Sequence, residues 1–249
     1  MRENGTRGHR PAVAVLLAGL LALGAAPAAG GELLRADFEN QTVGQPVGLR
    51  GAAYGEPAWF NGLCVNVIRD DVTGSRSLEM ADTDTIPFPG MIRFDLPDDT
   101  GAGAYMIVSL RLAVREADDF FVLVTERGLG DIATFQFCKL LVHDDGSLAV
   151  TDQAHTTETA VGSLTPGASV TVTLRFHLAT DTYDVLLDGQ PALADRAHGA
   201  TDLLPGSIWL GVEGDADVLG VVDFDDLVVT RDAVGNRPAS WGGVKARYR

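Results

Sequence analysis

The sequence predicts an all-β fold, a single antiparallel β-sandwich, and three observations lead there. Short β-branched and aromatic runs recur from Glu32 to about Asp232, each broken by Gly, Pro or Asp. No amphipathic helical period persists between them. Asp far outnumbers Glu among the 34 acidic residues, and Asp favours turns where Glu favours helices.

The candidate strands, in chain order, are "ELLRADFE", "LCVNVI", "RSLEMAD", "MIRFDL", "AYMIVSLRLAV", "DFFVLVTE", "ATFQFCKLLVH", "SLAVTD", "SVTVTLRFHL", "TYDVLLD", "SIWLGVEG" and "VVDFDDLVVT". Two turns fix neighbours. Asp145-Gly146 and Asp188-Gly189 each stand between two such runs, and Asp-Gly supplies the positive φ angles of tight hairpins. Alternation assigns faces. Val170, Val172, Leu174 and Phe176 interleave with Thr171, Thr173, Arg175 and His177, so one face packs and the other meets water. Val108, Leu110, Leu112 and Val114 repeat the pattern. About a dozen strands without intervening helices fit two stacked sheets of one sandwich.

The ends of the chain differ from this body. Arg2, Arg7 and Arg10 precede an Ala- and Leu-rich run that closes on Ala26-Pro27-Ala28, the order of a secretory signal peptide with a small-residue cleavage site. Residues 1–30 are therefore read as a signal peptide, 31–232 as the sandwich and 233–249 as a basic tail. An uncleaved anchor is the alternative, against which the apolar core is short. No later run is long enough to span a membrane as a helix, so the expected location is extracytoplasmic, secreted or periplasmic. In the tail, Trp241, Val244 and Tyr248 fall at helical spacing after Ser240, although Gly242 and Gly243 weaken a helix. The tail reads as a frayed end on an acidic domain, or as a docking peptide.

The formal charge of −15 becomes more negative once the three arginines and Glu3 of the leader are removed. Such a surface repels phosphate backbones, which excludes nucleic acid as a partner, and attracts cations, calcium among them. Cys64 and Cys138 form an even pair. In an exported protein they are either a disulfide or two small core residues.

Two acidic stretches stand at opposite ends of the body, "ADFENQTVG" at 36–44 and "VVDFDDLVVT" at 221–230. Strict alternation puts Asp223 and Asp225 on one face, with Phe224 and Asp226 on the other. A bulge near Asp225-Asp226 would instead turn Leu227 and Val229 inward.

The order of "LLRADFENQTVGQPVG", "GSRSLEMAD", "DDGSLAV", "YDVLLDG", "GSIWLGVEG" and "VVDFDDLVVT" resembles the concanavalin A-like lectin/glucanase jelly rolls, a superfamily that includes laminin G-like domains. The resemblance covers nearly the whole body of the chain. It implies two stacked antiparallel sheets, adjacent first and last strands, and a concave sheet face that often receives sugar chains. With those strands adjacent, Asp37 or Glu39 approaches Asp223 or Asp225. Like charges brought together need a cation, a proton or solvent between them. A structural calcium on Asp37, Glu39, Asp223 and Asp225 is one expectation. The other is that outward Asp side chains guard the strands against aggregation.

Catalytic signatures of the resembling enzymes are incomplete here. The paired-glutamate glycosidase pattern is met by Glu116 and Asp118 in its first half, but Phe120 and Phe121 stand where the second Glu belongs, and Glu126 is too distant. The lyases of related jelly rolls use Tyr, His and a basic or amide residue. Tyr54, Tyr105, Tyr183, His143, His155, His177 and His198 are dispersed along this chain. No Gly-x-Ser-x-Gly or His-Glu-x-x-His motif is present. The leading expectation is therefore non-catalytic binding of a glycan or cell-envelope polysaccharide. "YGEPAWFNG" at 54–62 offers Tyr54, Glu56, Trp59, Phe60 and Asn61 as ligand contacts, or as aromatics that cap the core. Trp209 reads as packing. The alternatives are a divergent polysaccharide-degrading hydrolase or lyase, and a structural or adhesive surface protein.

Overall fold

Residues 31–48, 57–61, 64–70, 75–82, 89–97, 105–116, 118–126, 135–200, 203–213 and 220–232 are described by the structure, a computed structural model. The expected leader and tail, and the Tyr54 and Glu56 of the expected ligand loop, lie outside the described residues. The described residues form fifteen strands and no helix long and apolar enough to cross a membrane. In chain order the strands are β1 (Gly31–Ala36), β2 (Trp59–Phe60), β3 (Val65–Asp70), β4 (Arg76–Ala81), β5 (Gly90–Asp95), β6 (Tyr105–Glu116), β7 (Phe120–Glu126) and β8 (Gln136–Val142). They continue as β9 (Ser147–Thr151), β10 (Thr159–Ser163), β11 (Ser169–His177), β12 (Thr182–Leu187), β13 (Gln190–Ala197), β14 (Pro205–Val212) and β15 (Val221–Arg231).

Two antiparallel sheets stack face to face. One runs β13-β12-β11-β6-β15-β4-β3, with β1 also paired to β15; the other runs β10-β9-β8-β7-β14-β5-β2. The first and last strands are adjacent, as expected. β15 changes neighbour along its length: Val221 to Phe224 pair with β4, and Leu227 to Arg231 pair with β1. The change falls at a bulge, where the register against β6 shifts between Asp225 and Val228 and Asp226 takes a φ of 49°. The extra residue keeps Phe224 in the core while returning Leu227 and Val229 to it, and leaves Asp226 exposed.

Alternating residues of both sheets meet in one core. Its largest fully buried side chains include Tyr183, Phe94, Phe120, Phe137, Phe176 and Phe224. On β7, Phe120, Val122 and Val124 enter that core, while Phe121 and Leu123 join Met91, Leu141 and Trp209 in a second cluster on the opposite face of the same sheet. Burial of both faces explains why "FFVLV" is continuously apolar rather than alternating.

The Asp188-Gly189 turn has both central residues at positive φ, 49° and 75°, the type I′ geometry expected of a two-residue hairpin. The Asp145-Gly146 turn is longer. Gly146 alone is left-handed there, and its N–H donates to His143 O. Three strands have no counterpart in the sequence reading: β2, β10 and β13. The first is only two residues long, and the other two lie at the end of their sheets with mostly exposed residues, Pro191 included. Edge strands bury neither face well, so no apolar alternation marks them.

Cys64 and Cys138 are free and buried. Burial pushes both thiols up to about 12. Neither is expected to react with iodoacetamide at neutral pH in the folded protein, and both should alkylate once it is unfolded in guanidinium, read by intact mass.

Candidate functional site: a pocket on the outer face of the eight-stranded sheet

The period of two that sends Leu110, Leu112 and Val114 of β6 into the core sends Arg111, Ala113 and Arg115 outward. On β15, Val222 and Phe224 point inward, so Asp223 and Asp225 share the outer face. β4 adds Ser77 and Glu79 in the same way. Pairing then sets the lateral neighbours: Asp223 stands opposite Ala113 on one side and Glu79 on the other, Asp225 opposite Arg111, and Ser169 of β11 opposite Ala113. Ala113, a small residue among long ones, leaves the space. A pocket of about 440 Å³ opens over it, lined by Ser77, Arg111, Arg115, Ser169, Asp223 and Asp225, with Asp70 also on its wall.

Charges on this face are cross-linked. Arg111 Nη2 donates to Asp225. Arg115 donates through Nε to Asp223 and through Nη1 to Glu79 at 3.1 Å, and Glu79 also accepts from Arg69 Nε at 3.1 Å. Burial drives the Asp223 and Asp225 carboxyls above the ordinary carboxylate range, outweighing the arginines that pull them down. The guanidiniums in turn are fixed in position by the carboxylates they hold.

The four acids expected to share calcium are placed differently. Asp225 and Glu39 do approach, but through a serine: Ser75 Oγ lies 3.1 Å from Asp225 Oδ2 and donates to Glu39 Oε1 at 2.8 Å. Glu39 also accepts from the Arg76 N–H at 2.9 Å, and Asp37 accepts from the Glu39 N–H at 3.3 Å. Asp223 and Asp225 receive their positive charge from Arg115 and Arg111. Among the described residues, the one group of ligating side chains close enough to share an ion is His177, Asp184 and Asp195, within 4.8 Å of one another. Asp37, Glu39, Asp223 and Asp225 are not brought together as one such group. The melting temperature should be the same in millimolar calcium and in excess chelator.

The described part of the expected ligand loop lies on the other sheet. Trp59 is partly exposed and meets Trp209 edge-on, with ring centroids 5.6 Å apart, while Arg93 sits over the Trp209 ring. Phe60 packs against the core. Asn61 is consumed by the backbone, donating to Pro89 O at 2.6 Å and accepting from the Met91 N–H at 3.0 Å. Trp209 donates to Thr125 Oγ1 at 3.0 Å and is 3% exposed, the packing role expected of it.

A second polar cluster shares the outer face with the pocket. Tyr105 and His177 are cross-strand partners with ring centroids 4.9 Å apart, and His177 Nε2 lies 2.8 Å from Asp184 Oδ2. Arg111 lies six positions along β6 from Tyr105, roughly 20 Å on an extended strand.

Arg111, Arg115, Ser77 and Ser169 were not picked out from the sequence as site residues. The available signal was charge complementarity between two polar faces: Arg111 and Arg115 on the outward side of "LRLAVRE", and Asp223 and Asp225 on the outward side of "VVDFDD". Nothing in the chain order pairs those stretches.

No family model matches the chain, and no curated protein matches it. Solved structures do. The binding domain of botulinum neurotoxin DC, solved in complex with rat synaptotagmin II, superposes with a TM-score of 0.52 at 6% identity, over 87% of this chain and 52% of that one. A botulinum neurotoxin type C structure concerned with two ganglioside molecules gives 0.51 at 6% identity, over 87% and 51%. A sialidase gives 0.50 at 13% identity, over 70% of this chain and 17% of its own. The chain thus spans about half or less of the length of these structures. The likeness is one of fold, an antiparallel β-sandwich of two stacked sheets.

Proposed function

We propose that this protein binds a glycan, such as a cell-envelope polysaccharide, without cleaving it, and that the sugar seats in the pocket over Ala113. The observation that carries the reading is the pocket itself. It combines about 440 Å³ of space with two serines, two arginines held rigid by ion pairs, and carboxylate oxygens on one sheet face. Sugar hydroxyls both donate and accept, so a wall of fixed donors beside fixed acceptors suits them. The similar folds include a sialidase and a toxin structure concerned with gangliosides, which agrees with a glycan partner. On this reading the site lies away from Trp59, which stays partly exposed beside Trp209, and from Phe60 and Asn61, whose side chains are taken up by packing and backbone contacts.

Ala113→Trp tests it, because an indole would fill the pocket and remove no polar contact. On a glycan array the full chain should bind, and the substitution should lower affinity at least ~10-fold, about 1.4 kcal/mol, with little change in melting temperature. Loss of binding in Trp59→Ala but not in Ala113→Trp would return the site to the loop at 54–62.

An enzymatic reading has one observation in its favour: Asp223 and Asp225 are raised carboxyls on one strand face, as a general acid requires. Against it, both are tied to arginines, and the Tyr105–His177 pair is too far along the strand to serve the same bond. Release of reducing ends or of unsaturated sugar from a polysaccharide panel, abolished in Asp225→Asn, would establish catalysis instead.

A further inference from the structure

We propose that His177, Asp184 and Asp195 hold one divalent transition-metal ion of the zinc type, at the edge of the eight-stranded sheet. It is a site separate from the glycan pocket. The three residues come from three adjacent strands: His177 closes β11, Asp184 lies within β12 and Asp195 within the edge strand β13. The core takes Phe176, Tyr183 and Val185, so alternation sends His177 and Asp184 to the outer face. β13 reaches them through a break in register. Tyr183 pairs with Arg196 and Val185 with Leu193, so Ala194 and Asp195 together stand opposite the single residue Asp184. Such a bulge re-aims a side chain, and here the Asp195 N–H donates to Asp184 Oδ1 at 2.9 Å. One ligating atom from each of the three side chains then lies within 4.8 Å of the other two.

The donor set decides the ion. His177 separates this group from an acidic patch: its Nε2 lies 2.8 Å from Asp184 Oδ2, and the Tyr105 ring, edge-on with centroids 4.9 Å apart, holds the imidazole in that orientation. One imidazole nitrogen with two carboxylate oxygens suits zinc, copper or nickel, whereas calcium takes about six to eight oxygens. When the ion enters, the Nε2 proton leaves to solvent and the nitrogen lone pair turns to the metal. Arg175 Nη1, 3.7 Å from Asp184 Oδ2 on a half-exposed side chain, is a loose contact that the ion displaces. Zinc bonds nitrogen and oxygen at roughly 2.0–2.2 Å, which sets tetrahedral ligands roughly 3.3 Å apart. Asp195 is the exposed member and closes the remaining distance by rotating its side chain, while water takes the fourth place. An ion held there ties β13, most of whose residues are exposed, to β12 and β11.

The test is calorimetric titration of zinc chloride into the full chain, first stripped of metal with chelator and dialysed. One ion per chain should bind, and the melting temperature should rise with zinc concentration. His177→Gln and Asp195→Asn should each weaken binding at least ~10-fold. Asp195→Asn changes an exposed side chain and keeps the backbone N–H, so without zinc it should melt with the wild type. His143→Gln is the control. His143 also stands between two carboxylates, Asp119 at 3.3 Å and Glu158 at 2.9 Å, but they meet opposite nitrogens of its ring and do not converge on one ion. That variant should bind zinc as the wild type does, and millimolar calcium should not compete. No zinc binding, binding unchanged in both His177→Gln and Asp195→Asn, equal weakening by His143→Gln, or displacement by calcium would overturn the site. Glycan binding is read separately on the array, so either conclusion can fail without the other.

Discussion

Asp152→Ala should lower the unfolding free energy by about 3–5 kcal/mol, the loss typical of breaking a buried ion pair from one side. The Asp152 side chain is fully buried at the end of β9. It accepts from Arg196 Nε at 2.7 Å, from Tyr183 OH at 3.0 Å, and from the N–H groups of Ala154 and His155 at 2.9 and 2.8 Å, with His155 Nδ1 also 2.8 Å away. This one carboxylate ties the β9–β10 connection to β12 and β13. Its removal leaves the Arg196 charge, only 11% exposed, without its carboxylate, and strips the buried Tyr183 hydroxyl of its acceptor. Urea unfolding followed by tryptophan fluorescence measures the loss.

The same residue sets a pH dependence. Burial pushes the Asp152 carboxyl up, but hydrogen bonds from Arg196, His155 and Tyr183 outweigh it and hold the carboxyl below its ordinary value. A carboxyl lowered by folding contributes stability above its unfolded pKa, about 3.9, and loses it as pH falls through the folded value. The gap between wild type and Asp152→Asn should therefore be full at pH 7 and narrow below about pH 4. Asp223 and Asp225 act in the opposite sense. Their raised carboxyls bind protons more readily folded than unfolded, so mild acid stabilises the pocket region. The comparison with Asp152→Asn isolates the first effect from the second.

Arg111→Ala should cost about 3 kcal/mol at pH 7, because it leaves Asp225, whose side chain is 3% exposed, as a buried charge without its guanidinium. Arg111 itself is partly exposed, which places the expectation at the low end of that range. The loss should shrink as pH falls, since the buried Asp225 carboxyl, raised already in the folded protein, takes up a proton and becomes neutral. Replacing both members together, as Arg111→Met with Asp225→Leu, should return the melting temperature to near the wild-type value while leaving the pocket unable to bind. A double variant as unstable as Arg111→Ala alone would show that the pair supports the sheet as well as the ligand face.

The site and the fold were legible in the sequence to different degrees. The apolar alternation of "SVTVTLRFHL" and "VSLRLAV" correctly placed β11 and β6, and Asp188-Gly189 correctly marked its hairpin, because core burial and positive φ are imposed locally. The acidic stretches 36–44 and 221–230 were recognised as lying on neighbouring strands, and the bulge at Asp226 as a way to turn Leu227 inward. Their partners were not recognised. Asp225 is 114 positions from Arg111 and Asp223 is 108 from Arg115, distances over which sequence carries no record of pairing.

The sequence by itself determined the all-β sandwich, its principal strands, its hairpin at Asp188-Gly189 and the side of each long strand that packs, since each follows from neighbours a few residues apart. Only the tertiary structure decided what the outward faces do. Strand order β11-β6-β15-β4 brings Ser169, Ala113, Asp223 and Glu79 into one row, and places Arg111 and Arg115 at either side of Ala113. The physical reason is that a strand's polar face is free of core constraint, so its meaning is set by the strands beside it. Of the acids that suggested a cation from their sequence alone, Asp223 and Asp225 are paired with arginines from β6.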